Sequence, residues 1–124
     1  MWTQLIRLCV QCEQSTTWKI LRNHLLSEVN ETTLAGSSPL HFVALGENIE
    51  LAEWLLNNGA HILANNNGET PLHWACQAGH VPMVKLFLKA MTPTQIAHKD
   101  RFGDSALLWA IESKKFEVIE LFTV

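Results

Sequence analysis

From residue 36 onward the apolar positions recur in two alternating blocks. The first block is Gly36-Ser37-Ser38-Pro39-Leu40-His41-Phe42-Val43-Ala44, matched by Gly68-Glu69-Thr70-Pro71-Leu72-His73-Trp74-Ala75-Cys76 and by Gly103-Asp104-Ser105-Ala106-Leu107-Leu108-Trp109-Ala110-Ile111. The leading glycines are 32 and 35 residues apart. The same offsets align Ile49 with Val81 and Phe116, Leu51 with Met83 and Val118, Trp54 with Leu86 and Leu121, and Leu55 with Phe87 and Phe122. Two blocks repeating at one pair of spacings identify an internal repeat.

Each unit predicts a turn followed by two short helices. The glycine suits a tight turn. Ser or Thr two residues later is a helix N-cap, and the Pro that follows fits the first helical position, where its missing N–H costs nothing. The second helix, as in 49–58, carries an apolar stripe with Glu50 and Glu53 outside it, and Gly59 suits a C-terminal cap. A helix pair this small cannot enclose a core, so it must stack on its neighbours. Between units, Thr92-Pro93-Thr94-Gln95 has the form of a capping box, which predicts one extra helical turn in the loop 91–102. That loop is either a tolerated insertion or a partner contact. Before residue 36, Leu5, Ile6, Leu8, Cys9 and Cys12 have helical spacing, as do Trp18, Leu21, Leu25 and Val29. They predict helices over about 2–13 and 16–28 that cover the open end of the stack.

The run Gly68-Glu69-Thr70-Pro71-Leu72-His73-Trp74-Ala75-Cys76, continued by Ala78-Gly79-His80, resembles the ankyrin-repeat signature, and Leu55-Leu56-Asn57-Asn58-Gly59-Ala60 resembles the end of that family's second helix. The resemblance covers 36–124. It implies a mainly α solenoid of stacked helix–turn–helix units joined by β-hairpin-like loops. The expected organisation is a single domain over 1–124, with capping helices over 1–35, repeats over 36–67 and 68–102, and a terminal or incomplete repeat over 103–124. The third unit departs from the signature: Ala106 replaces Pro, Leu108 replaces His and Lys114-Lys115 replaces Gly-His. The resemblance makes Thr70, Pro71, Leu72, His73 and His41 the structural motif, with Gly36, Gly68 and Gly103 at the turns, and implies that His41 and His73 bridge neighbouring turns. His80 falls at the corresponding interhelical corner.

Composition narrows the function classes. Nine basic and 12 acidic side chains leave a net charge of −3, which disfavours nucleic acid as a partner. Apolar residues make up 48% of the chain, enough for a core, and no run of about 18 uninterrupted apolar residues predicts a membrane span. Three cysteines do not suggest a disulfide framework. The pair Cys9 and Cys12 lacks the further ligands of a zinc site and reads as core-facing thiols. His24, His61 and His98 show no ligand spacing. No nucleophile elbow, phosphate loop or metalloprotease helix appears, and Asp100 with Asp104 reads as a turn device. The expectation is therefore no enzyme, no cofactor and no metal.

The expected function is protein–protein interaction through the hairpin tips and the concave face of the first helices, inside the cytoplasm. The alternative is a targeting piece of a larger multidomain enzyme or of a bacterial effector acting in host cytosol. Ala35, Ser37, Asn66, Asn67, Glu69, Arg101, Phe102 and Asp104 fall on the tips, and Leu45, Gln77 and Glu112 on the first helices. These side chains look spare to the fold. Phe42, Trp74 and Trp109 form a column that either packs inside or faces a partner, while Trp18 and Trp54 fit core positions. Phe102 either anchors a partner or packs on the insertion over 91–96. Val118, Ile119, Leu121 and Phe122 form an apolar end surface for which fraying, self-association or burial under a further segment is expected.

Overall fold

The computed structural model describes residues 3–11, 19 and 23–122. Helix α1 (Gln4–Gln11) is followed by a short 3-10 turn (Leu26–Glu28). The stack then runs through α2 (Pro39–Val43), α3 (Ile49–Asn57), α4 (Pro71–Ala78), α5 (Val81–Ala90), α6 (Pro93–Ile96), α7 (Ala106–Glu112) and α8 (Phe116–Leu121). No strand occurs among the described residues. The first helices α2, α4 and α7 pack side by side, with α1 against α2, and the second helices α3, α5 and α8 form a parallel layer behind them.

The caps fall where the spacing predicts. Ser38, Thr70 and Ser105 are the N-caps of α2, α4 and α7. Thr70 and Ser105 accept from the amides of His73 and Leu108. The insertion forms one turn, α6, closed by reciprocal bonds between Thr92 and Gln95. Of the two expected N-terminal helices, the first is α1, the described residues of the second, 19 and 23–25, are also helical, and Leu5, Ile6 and Cys9 are buried together with Leu25 and Val29. Glu28 accepts from the Leu5 amide at 3.0 Å and so caps α1. Cys12, Trp18 and Leu21 lie outside the described residues. Asn30 ties this unit to the next: it donates to the Gly59 carbonyl at 2.9 Å and accepts from the His61 amide at 2.8 Å.

The core is one continuous seam of Leu40, Val43, Leu51, Leu55, Leu72, Met83, Val84 and Phe87, all nearly inaccessible. Small residues Ala44, Ala52, Ala75, Ala106 and Ala110 line the same seam and let adjacent helices approach closely. Trp54 is half-buried against this core.

Candidate functional site

Three hairpins project from one edge of the stack, and each is closed by its own polar residue. Asn65 Oδ1 accepts from the amides of Asn67 and Glu69, both at 3.0 Å. Asp100 Oδ1 accepts from the amides of Phe102 and Asp104, both at 2.9 Å. Thr33 Oγ1 accepts from the Ser37 amide at 3.3 Å in the first hairpin. An Asn, Asp or Thr side chain three residues before the turn glycine holds the loop in shape by replacing a backbone acceptor. This device was legible as Thr33, Asn65 and Asp100 each preceding Gly36, Gly68 and Gly103 by three, but only the Asp100 turn was anticipated.

Successive hairpins are joined by main-chain bonds. The Asn66 amide donates to the Ala35 carbonyl and the Arg101 amide to the Asn67 carbonyl, both at 2.9 Å. Side chains add to them: Asn66 donates to the Leu34 carbonyl at 3.1 Å, and Arg101 donates to Asn67 Oδ1 at 3.2 Å. Gly68 has φ +77, and a Cβ there would lie 3.0 Å from the backbone of Asp100 and Arg101. Glycine is required twice at that position, by its left-handed backbone and by the hairpin that lies against it.

Two histidines connect the hairpins to the helices. His41 Nδ1 accepts from the Ser38 amide at 3.1 Å, and its Nε2 lies 2.7 Å from the Glu69 carbonyl of the next hairpin. His73 repeats this with the Thr70 amide at 3.1 Å and the Asp104 carbonyl at 3.0 Å. An amide faces one ring nitrogen and a carbonyl the other, so each ring fits as the neutral Nε2–H tautomer. Burial lowers both pKa values below 6.5, against the opposing pull of the carbonyl bonds. Leu108 stands at the third position, so the series ends with His73. His80, at the corner preceding α5, lies 3.1 Å from Glu47 of the preceding corner.

The aromatic column is partly buried. Phe42 is 9% exposed, and Trp74 and Trp109 are half-buried. Trp74 meets His41 and Phe42 edge-on at 5.1 and 5.3 Å, and Trp109 meets His73 at 5.2 Å. Their indole N–H groups donate to Glu69 at 3.1 Å and Asp100 at 3.0 Å. Burial alone would raise the Asp100 pKa. Bonds from the Asp104 amide, the Trp109 indole and the Phe102 amide outweigh it and hold the carboxyl below the usual value.

Between the hairpins and the first helices lie two neighbouring concavities. The first, of about 440 Å³, is lined by Leu34, Ala35, Phe42 and Trp74 together with Thr33, Ser37, Asn65, Asn67 and Glu69. The second, of about 240 Å³, is lined by Glu69, Gln77, Asp100, Asp104 and Glu112, with Phe102 and Trp109. Glu69 lines both, so they are adjacent parts of one groove. Of the residues expected at a partner surface, Leu45, Asn66 and Arg101 are exposed but outside both concavities. Ser37 needs correction. It is 3% exposed and its hydroxyl accepts from Asn65 Nδ2, so it braces the hairpins instead of facing outward. The expectation that the tip side chains are spare also needs correction for Asn66, Asn67, Glu69 and Arg101, which hydrogen-bond within or between hairpins. Phe102 is 73% exposed, with the Arg101 guanidinium 4.7 Å above its ring. Leu34, 94% exposed at the first tip, was overlooked, although it precedes Gly36 as Arg101 precedes Gly103.

Other chemistry is quiet. Cys9 and Cys76 are buried, and burial pushes the Cys76 thiol pKa up to about 12. Among the described residues no three His, Cys, Asp or Glu side chains gather as metal ligands, and no helix is long and apolar enough to cross a membrane.

Comparison with known proteins agrees with this architecture. A family model described as ankyrin repeats in three copies matches residues 5–100 and 64–123, reaching well before the signature at residue 36. A mouse protein, palmitoyltransferase ZDHHC13, is 38% identical over 64 residues, which is 50% of this chain and 10% of that protein. Human transient receptor potential cation channel subfamily A member 1 is 37% identical over 60 residues, 48% of this chain and 5% of that protein. Rat palmitoyltransferase ZDHHC17 is 36% identical over 52 residues, 40% of this chain and 8% of that protein. The chain thus spans about a tenth or less of the length of these relatives. The matching repeats, the capped helix pairs and the joined hairpins make this chain a member of the ankyrin-repeat family.

Proposed function

We propose that this chain is a non-enzymatic, cytoplasmic protein-interaction module that binds a partner protein in the groove between its hairpin tips and first helices. The supporting observation is the groove itself: apolar tips that folding leaves open, Leu34 and Phe102, stand over two concavities floored by half-buried indoles. Aromatic side chains fixed in place by hydrogen bonds lose little entropy on binding and suit an interface core. The test compares affinities for a recovered partner. Phe102→Ala with Gln77→Arg alters the groove without touching the hairpin bonds, and should weaken binding at least tenfold with the circular dichroism spectrum unchanged. Glu53→Arg and Lys85→Glu, on the outer helices, should leave it unaltered. The opposite pattern overturns the groove reading.

A second reading places the same module inside a larger enzyme. It is favoured by the short span of the match within two palmitoyltransferases. The groove would then recruit a substrate protein to a catalytic part elsewhere. The length of the natural open reading frame decides between a free-standing module and such a part.

A further inference from the structure

The two ends of the groove differ in chemistry, and the difference specifies what fits it. The end toward the N-terminus presents mainly apolar surface, from Leu34, Ala35, Phe42 and Trp74, with Asn67 and the shared Glu69 among its polar lining. The end toward the C-terminus carries Glu69, Asp100, Asp104 and Glu112 around Trp109. Asp100 is held ionised by its hydrogen bonds. Among the described residues, none of these four carboxylates forms an ion pair. Two basic side chains lie on neighbouring segments: the Arg101 guanidinium borders this end, against Asn67 and the Phe102 ring, and the Lys115 stem lies over Gly79. Four carboxylates against the Arg101 guanidinium leave this end net negative, beside the Trp109 indole, whose face also attracts cations.

Resting on the groove reading, we infer that the groove takes a basic–apolar protein segment: an apolar side chain lies between Leu34 and Trp74, and lysines or arginines lie among Glu69, Asp104 and Glu112. The apolar end supplies burial, while the acidic end sets the direction of the segment and rejects acidic sequences. A cationic partner also matches the net charge of −3, which steers it toward the chain at low salt.

The test uses the full chain, isotopically labelled, and an acetylated octapeptide probe with leucine second and lysines fifth and sixth. The indole N–H resonances of Trp74 and Trp109 report on the two ends directly. They should shift on titration. Replacing the lysines by glutamine or glutamate, or the leucine by glycine, should weaken binding at least tenfold. Asp104→Lys with Glu112→Lys should do the same for the lysine probe, while Glu53→Lys leaves its affinity unaltered. Equal binding of the lysine, glutamine and glutamate probes overturns the charge assignment and leaves the groove reading in place. Shifts confined to α3 and α5 overturn both. No shift with any probe at millimolar concentration overturns the inference, and the groove reading is then decided separately by the paired-variant affinities above.

Discussion

At the scale of single residues, His41 and His73 connect the parts of the repeat. Each imidazole satisfies a cap amide on one side and a carbonyl of the next hairpin on the other. Removing the His73 ring leaves those buried groups unpaired, at about 1–3 kcal/mol. His73→Ala should therefore lower the urea midpoint clearly, and an unchanged midpoint would mean the ring is not structural. The protonation state gives a second signature. Both folded-state values lie below 6.5, so the unfolded chain takes up protons first as pH falls. The contribution to stability is complete above 6.5 and is lost below it, by at most about 1.4 kcal/mol per pH unit for each histidine, until the folded-state values are reached. Urea midpoints from pH 8 to 5 should be flat and then fall, and the fall should be shallower in His73→Ala. Asp100, whose folded value is lowered below 3.8, adds a separate loss as pH drops through that value. A midpoint that rises between pH 7 and 5 would refute the neutral-tautomer assignment.

At the scale of elements, turn glycines differ by what lies against them. Gly68 and Gly103 share a left-handed backbone, with φ +77 and +82, but a Cβ on Gly103 meets nothing within 4 Å. Gly68→Ala should cost more than Gly103→Ala, by about 1 kcal/mol or more, because it adds a contact against the next hairpin to the same backbone strain. Equal thermal shifts would show that the hairpins do not press together. The third repeat shows the reverse case. Lys114, at the place of Gly79, is the described non-glycine residue with a positive φ, +57. Lys114→Gly should stabilise by up to about 1 kcal/mol, since glycine relieves that strain at some cost in unfolded-chain entropy. These features explain what the sequence made visible. Caps, turn glycines and the Thr92–Gln95 turn follow from local chemistry and were legible residue by residue. The buried place of Ser37 and the bonds of Asn66, Asn67 and Arg101 were not, because their partners lie on the neighbouring hairpin, 28 to 34 residues away.

At the scale of the whole molecule, stacking turns repeated local choices into one surface. The second helices form the back layer, and the tips and first helices leave a groove that becomes acidic toward its C-terminal end. The aromatic column was legible as a spacing, but not its double role: each indole packs on a histidine and is also fixed by a hairpin carboxylate. Support differs along the stack. Helix α5 packs against both α3 and α8, whereas α8 packs against α5 and α7, with Phe116 exposed. Amides of α8 should exchange with solvent faster than those of α5 in a dilute, verified monomer, and equal protection would contradict this gradient.

The central claim is that the groove, and not the helical back layer, meets the partner. Photo-crosslinking tests it most directly: a benzophenone side chain is placed at position 102 in one variant and at position 85 in another, and both are irradiated with a recovered partner. The account predicts a strong adduct from 102 and little from 85. An adduct from 85 with none from 102 would contradict it.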